Sequence, residues 1–138
     1  MTKTLLPDTP TTIGSWARFI ARGLQGAGLD GKELFLEQGL DLSEADTPNT
    51  RFPVDAMSRV WRRAVELTGD EGFALRLADN ADPSMYNALG LSMISSRTLG
   101  EALQRACRFS QVATDAGGQV LRERADGRME LVQEIFGK

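Results

Sequence analysis

Histidine is absent from this sequence, and cysteine occurs once, at Cys107. The first absence removes Ser-His-Asp and Cys-His nucleophile systems. With a single thiol it also removes any His/Cys zinc site. One cysteine cannot close an internal disulfide, so Cys107 is expected to be reduced, in a bacterial or cytosolic compartment. No apolar run approaches the roughly 20 residues that cross a bilayer. The opening stretch MTKTLLPDTPTT has one apolar pair before Pro-Asp-Thr-Pro, too short for a signal peptide. The expected location is the cytoplasm, with no membrane partner. No glycine-rich phosphate loop and no EF-hand spacing is present, and no carboxylate spacing marks an acid/base pair. No cofactor, metal or catalytic residue is therefore expected, and the chain reads as a non-enzyme.

What remains is 138 residues, 41% hydrophobic and 25% charged. That is one domain, long enough to bury about two-thirds of its extended surface. Residues 1–11 read as a flexible, proline-containing tail, and residues 12–138 as a single domain. The period of the apolar residues is mostly helical. Ile13, Trp16, Ala17, Ile20 and Leu24 make a first stripe, stopped by Gly26 and Gly28, with Arg18 and Arg22 on other faces. Asp30, with Glu33 three residues on, caps a short second helix that buries Leu34 and Phe35 and ends at Gly39.

After a polar loop over residues 40–52, Pro53 is expected to open the strongest helix, at its first helical position. Val54, Met57, Val60, Trp61, Ala64 and Val65 line its face, and Thr68-Gly69-Asp70 ends it. Phe73, Ala74, Leu77 and Ala78 suggest a fourth helix. Met85, Ala88, Leu89 and Met93 suggest a fifth, interrupted by Gly90. Thr98 and Glu101 cap a sixth, with Leu99, Ala102, Leu103, Ala106 and Phe109 as its buried stripe and Gly117-Gly118 as its end.

The last twenty residues change character. Asp126-Gly127 between two extended runs signals a β-hairpin. A two-residue turn would set Leu121 opposite Val132. Two strands alone leave unpaired edges and are marginal in water. Helices could cover the hairpin, or another chain's sheet could extend it. The reading adopted is that further strands of a longer parent are missing. Pairing between chains through Leu121 and Val132 is then a side effect. The fold class is α+β, mainly α: about six helices and a C-terminal hairpin, a truncated portion of a larger sensor domain.

Thirteen of the sixteen basic residues are arginine, yet the net charge is −3. Residues 51–65 carry four arginines against Asp55 alone. An overall basic footprint is what duplex binding requires, so these arginines read as solvated helix faces. Trp61, Phe73, Met85, Tyr86, Met93 and Phe109 are the large soft side chains of the middle segment, core by default. Some could also wall an apolar small-molecule pocket, with Arg76, Arg108 and Tyr86 as the polar anchors.

Ordered pieces from Arg51 to Asp115 carry a resemblance. They are Arg51-Phe52-Pro53, Trp61, Thr68-Gly69-Asp70, Ala74-Leu75-Arg76-Leu77, Leu89-Gly90 and Ser96 through Leu103. Together they resemble the N-terminal effector domain in one branch of the AraC/XylS family of bacterial transcription regulators. Ala74 stands where that pattern commonly has glycine, and Arg97 interrupts its serine–threonine stretch. The resemblance implies a sensor of a small-molecule effector that also dimerises. It implies control of a C-terminal pair of helix-turn-helix motifs, so that promoter DNA is met only through a part missing from this chain. A ligand-free association module is the alternative.

Overall fold

The computed structural model describes residues 9–47 and 49–135; residues 1–8, most of the expected tail, lie outside it. A short strand β1 (Thr11–Ile13) leads into α1 (Gly14–Gly26) and α2 (Gly31–Glu37). A 3-10 turn over Leu42–Asp46 and strand β2 (Arg51–Pro53) precede α3 (Val54–Thr68) and α4 (Phe73–Ala78). A second 3-10 turn, Pro83–Tyr86, is followed by α5 (Ala88–Ile94), α6 (Leu99–Ala113), β3 (Gly117–Glu123) and β4 (Met129–Ile135). Among the described residues there are six α-helices and two antiparallel strand pairs, β1–β2 and β3–β4. The class is α+β, mainly α, with a C-terminal hairpin.

Local chemistry sets most boundaries. Asp30 Oδ1 accepts from the Glu33 amide at 3.1 Å, satisfying one of the unpaired donors that open α2. Gly39 (φ +75°) and Gly69 (φ +65°) stand where α2 and α3 end, in the left-handed region that favours glycine. Thr98 Oγ1 accepts from the Glu101 amide at 3.1 Å, and Glu101 reaches back to the Arg97 amide at 2.9 Å. Pro53 belongs to β2 and immediately precedes α3, so the helix starts one residue later than its fixed φ suggested. Likewise Thr11 and Thr12, expected as tail and helix start, are strand residues paired with Pro53 and Phe52.

The hairpin register corrects the two-residue-turn reading. Leu121 faces Leu131, and Val132 faces Val120. The loop has three residues, because Arg124 N–H donates to Arg128 O at 2.8 Å. Gly127 is its third residue, at φ +81°. A three-residue loop with glycine in the left-handed position is a favoured alternative to the two-residue turn. The extra residue shifts every cross-strand pair by one.

The core is one cluster and belongs to the N-terminal half. Ala17, Ile20 and Leu24 of α1 meet Leu34 and Phe35 of α2, Phe52 of β2, Val60 and Ala64 of α3, and Phe73 and Leu77 of α4. Residues 88–135 bury only Leu89, Ala106 and Ala113 among their apolar side chains. The expected buried stripe of α6 is only partly buried: Ala106 is buried and Ala102 and Leu103 half-buried, but Leu99 is 75% exposed and Phe109 44%. Periodicity identified an apolar face; α5 and β3 pack against α6, while Leu99 and Phe109 stay largely uncovered among the described residues. The two halves are tied where β1 meets the end of α6. Thr12 bridges Thr114, and Asp115 N–H donates to Thr11 O at 3.2 Å.

Candidate functional site

An open cleft of about 1130 Å³ lies between α1 and the segment from the end of α3 to residue 87. One face of α1 makes its first wall: Ser15, Arg18, Phe19, Arg22, Gly23 and Gly26 recur at helical spacing. The second wall is Leu67 and Thr68, then Asp70, Phe73, Arg76 and Leu77, then Asn80 and the 82–87 turn. The sequence makes this hollow through turn chemistry. Thr68-Gly69-Asp70 reverses the chain after α3, and α4 lasts only six residues. The chain therefore returns across α1 without a long helix to fill the gap.

Two contacts hold the walls together at opposite ends. Ser15 Oγ donates to Met85 O at 2.6 Å, and Trp16 meets Tyr86 edge-on, ring centroids 5.7 Å apart. Further along α1, Gly23 packs against Leu77, and a Cβ at Gly23 would overlap that side chain. Most charges in the cleft are already paired. Arg18 binds Asp46 and donates to Ala45 O, although its Nε is buried with no partner among the described residues. Arg76 pairs with Asp70, whose other oxygen accepts from Gly72 N–H at 2.9 Å. Asp82 accepts from Ser84, and the Ser84 hydroxyl and amide hold its carboxyl below the ordinary carboxylate range. Arg22, Asn80 and Asn87 make no side-chain hydrogen bond or ion pair among the described residues.

Asn87 has one further property. Its φ of +53° and ψ of −132° place it in a region that glycine occupies readily and other residues rarely. It joins the 3-10 turn to α5, so the expected fifth helix over Met85–Met93 is broken there.

The eight side chains proposed from sequence do not form one site. Phe73, Arg76 and Met85 line the cleft. Trp61 stands behind Phe73, ring centroids 6.2 Å apart, packed against the core. Tyr86 and Met93 line a second hollow of about 200 Å³ with Pro83, Gly90 and Ile94. Arg108 and Phe109 sit side by side on α6, the guanidinium 5.4 Å from the ring centroid, and line neither hollow. Gly90 does not interrupt α5. It lies inside that helix, and a Cβ there would overlap the Pro83 carbonyl. Sequence reasoning missed Ser15, Arg18 and Arg22. Their signal was the polar side of α1, with arginines four residues apart.

The N-terminal arabinose-binding domain of AraC transcription regulators, as a family, matches residues 28–137. The chain belongs to this family. The match runs from the residues before α2 through the hairpin, and the cleft-facing residues of α1 precede it. No curated protein matches the chain. The domain is thus a regulatory, ligand-binding type of domain found in AraC-type regulators, a family of transcription factors and not of enzymes. Among the described residues no helix is long and apolar enough to cross a membrane.

Proposed function

We propose that this AraC-type domain binds a small-molecule effector in the cleft between α1 and residues 67–87. Occupancy controls a C-terminal helix-turn-helix DNA-binding region of the parent regulator, in the bacterial cytoplasm and without any catalytic step. One observation carries the reading. The segment that walls the cleft, Asp82 to Asn87, is the same segment that connects the N-terminal core to α5, α6 and the hairpin. A guest that prefers one arrangement of this wall shifts the population of the whole C-terminal half through unequal affinity.

Gly26 provides the test. It lines the cleft, and a Cβ there meets nothing within 4 Å. Gly26→Phe therefore fills the cleft without striking the fold. A thermal-shift screen with sugars, amino acids and small acids raises the melting temperature of the parent chain. The same screen leaves Gly26→Phe flat. An equal response from both chains removes the cleft from consideration.

Homodimerisation accompanies this reading, and a specific surface favours it. Leu121, Met129, Leu131 and Ile135 share one face of the hairpin by register, and Ile135 is 79% exposed. Leu121 and Val132 are themselves half-buried, so Leu131→Lys is the sharper probe. Light scattering is expected to report a dimer that this substitution dissociates. If dimerisation occurs while the ligand screen is flat, the chain acts as an association module instead.

A further inference from the structure

We infer that the cleft takes a hydroxylated organic acid, with its carboxylate held by Arg22 and its hydroxyls by Asn80 and Asn87. The inference rests on the cleft being the effector site, and it follows from the polar groups that the fold leaves unspent.

Ser15 has given its proton to Met85 O, and Thr68 Oγ1 has given its own to Ala64 O at 2.8 Å. Arg18 and Arg76 are neutralised by Asp46 and Asp70. Asp82 is occupied by Ser84. Besides the buried Arg18 Nε, the groups left over are one guanidinium, that of Arg22, and the primary amides of Asn80 and Asn87. A guanidinium offers donors in a planar fork and matches a carboxylate in two parallel hydrogen bonds. A side-chain amide both donates and accepts, as a hydroxyl does.

The backbone at Asn87 supplies an independent observation. A non-glycine residue at φ +53° and ψ −132° is strained, and glycine would relieve that strain. A side chain is nevertheless present, it lines the cleft, and it makes no hydrogen bond among the described residues. Strain of this kind clusters at ligand clamps. Asn87 therefore carries a side chain whose use lies outside the free protein.

Matched pairs test the inference: gluconate against glucitol, and galacturonate against galactose. Binding to the full chain is followed by thermal shift and by titration of tryptophan fluorescence, since Trp16 packs beside the cleft wall. At least one acid is expected to bind about ten-fold or more tightly than its uncharged partner, the usual scale of a charged hydrogen-bonded pair. Arg22→Gln is expected to erase that preference, and Arg22→Lys to restore part of it. Asn87→Gly is expected to raise the melting temperature of the free protein and weaken acid binding.

Equal binding of acid and neutral partner, a preference that survives Arg22→Gln, or no binding by either acid overturns the inference. Failure of the broader reading looks different. If a neutral compound binds and Gly26→Phe blocks it, the cleft remains the effector site and only the acid assignment falls. If no compound of any class binds, both fall.

Discussion

Arg51 and Asp115 lie on opposite sides of one hydroxyl. Arg51 Nε donates to Thr11 Oγ1 at 2.6 Å, and Thr11 Oγ1 donates to Asp115 Oδ2 at 3.1 Å. The two charges are 3.8 Å apart, and each side chain is 30% exposed. Arg51 also donates to Val112 O at 3.0 Å, and Thr11 N–H donates to the Asp115 carboxylate. This cluster fastens the end of α6 to the β1–β2 pair. It is the polar seam between the half with a core and the half without one.

Breaking the seam is expected to loosen the C-terminal half first. Arg51→Ala removes the guanidinium's hydrogen bonds to Val112 O, Thr11 O and Thr11 Oγ1 and leaves Asp115 with its cation gone. A loss of about 1–2 kcal/mol is expected, because hydrogen bonds to charged groups are worth more than neutral ones while partial exposure screens the ion pair. Urea denaturation measures it. Arg124→Ala, at an exposed hairpin pair, is expected to change stability by about 0.5 kcal/mol or less.

Two glycines set the close approaches around the cleft. A Cβ at Gly23 meets the end of a side chain, Leu77, whereas one at Gly90 meets the Pro83 carbonyl of the main chain. Gly23→Ala is expected to lose about 1–2 kcal/mol, the overpacking cost offset in part by the helix preference for alanine. Gly90→Ala is expected to lose about 3 kcal/mol or more, since backbone cannot rotate away. Equal losses would contradict the geometry.

The unequal core makes a sharp contrast between two large apolar residues. Phe35 is 0% exposed and Leu99 75%. Phe35→Ala is expected to cost about 3–5 kcal/mol. Leu99→Ala is expected to stay within about 0.5 kcal/mol in the monomer.

Acid should loosen the cleft wall at Asp82. Hydrogen bonds from the Ser84 hydroxyl and amide lower its carboxyl below the usual range. A lowered folded value means that the stabilisation is complete above the ordinary carboxylate pKa of about 4. It is lost as pH falls through the folded value. The stability difference between the wild type and Asp82→Asn, measured by thermal melts across pH, is expected to be constant above that range and to shrink below it. A difference growing toward low pH would reverse the sign of the argument.

Much of the architecture was legible because it is local. The spacing of Ala17, Ile20 and Leu24, the glycines at 39 and 69, and the Thr98–Glu101 cap each act within a few residues. The hairpin was legible, but its register was not. Whether Gly127 is the second or third loop residue changes a single hydrogen bond and thereby every cross-strand pair. The fate of the α6 stripe was not legible either, since periodicity says which face is apolar and not whether anything covers it. The cleft depends on contacts between residues about seventy apart, such as Ser15 with Met85. Arg22 becomes notable only once the other charges around it are seen to be paired.

Hydrogen exchange followed by mass spectrometry, with and without a cleft-binding compound from the screen, is the most direct measurement. The account predicts slowed exchange in residues 15–26 and 67–87, with a change carried past Asn87 into α5. Slowed exchange confined to α6 and the hairpin, with α1 and the 82–87 turn unaltered, would contradict it.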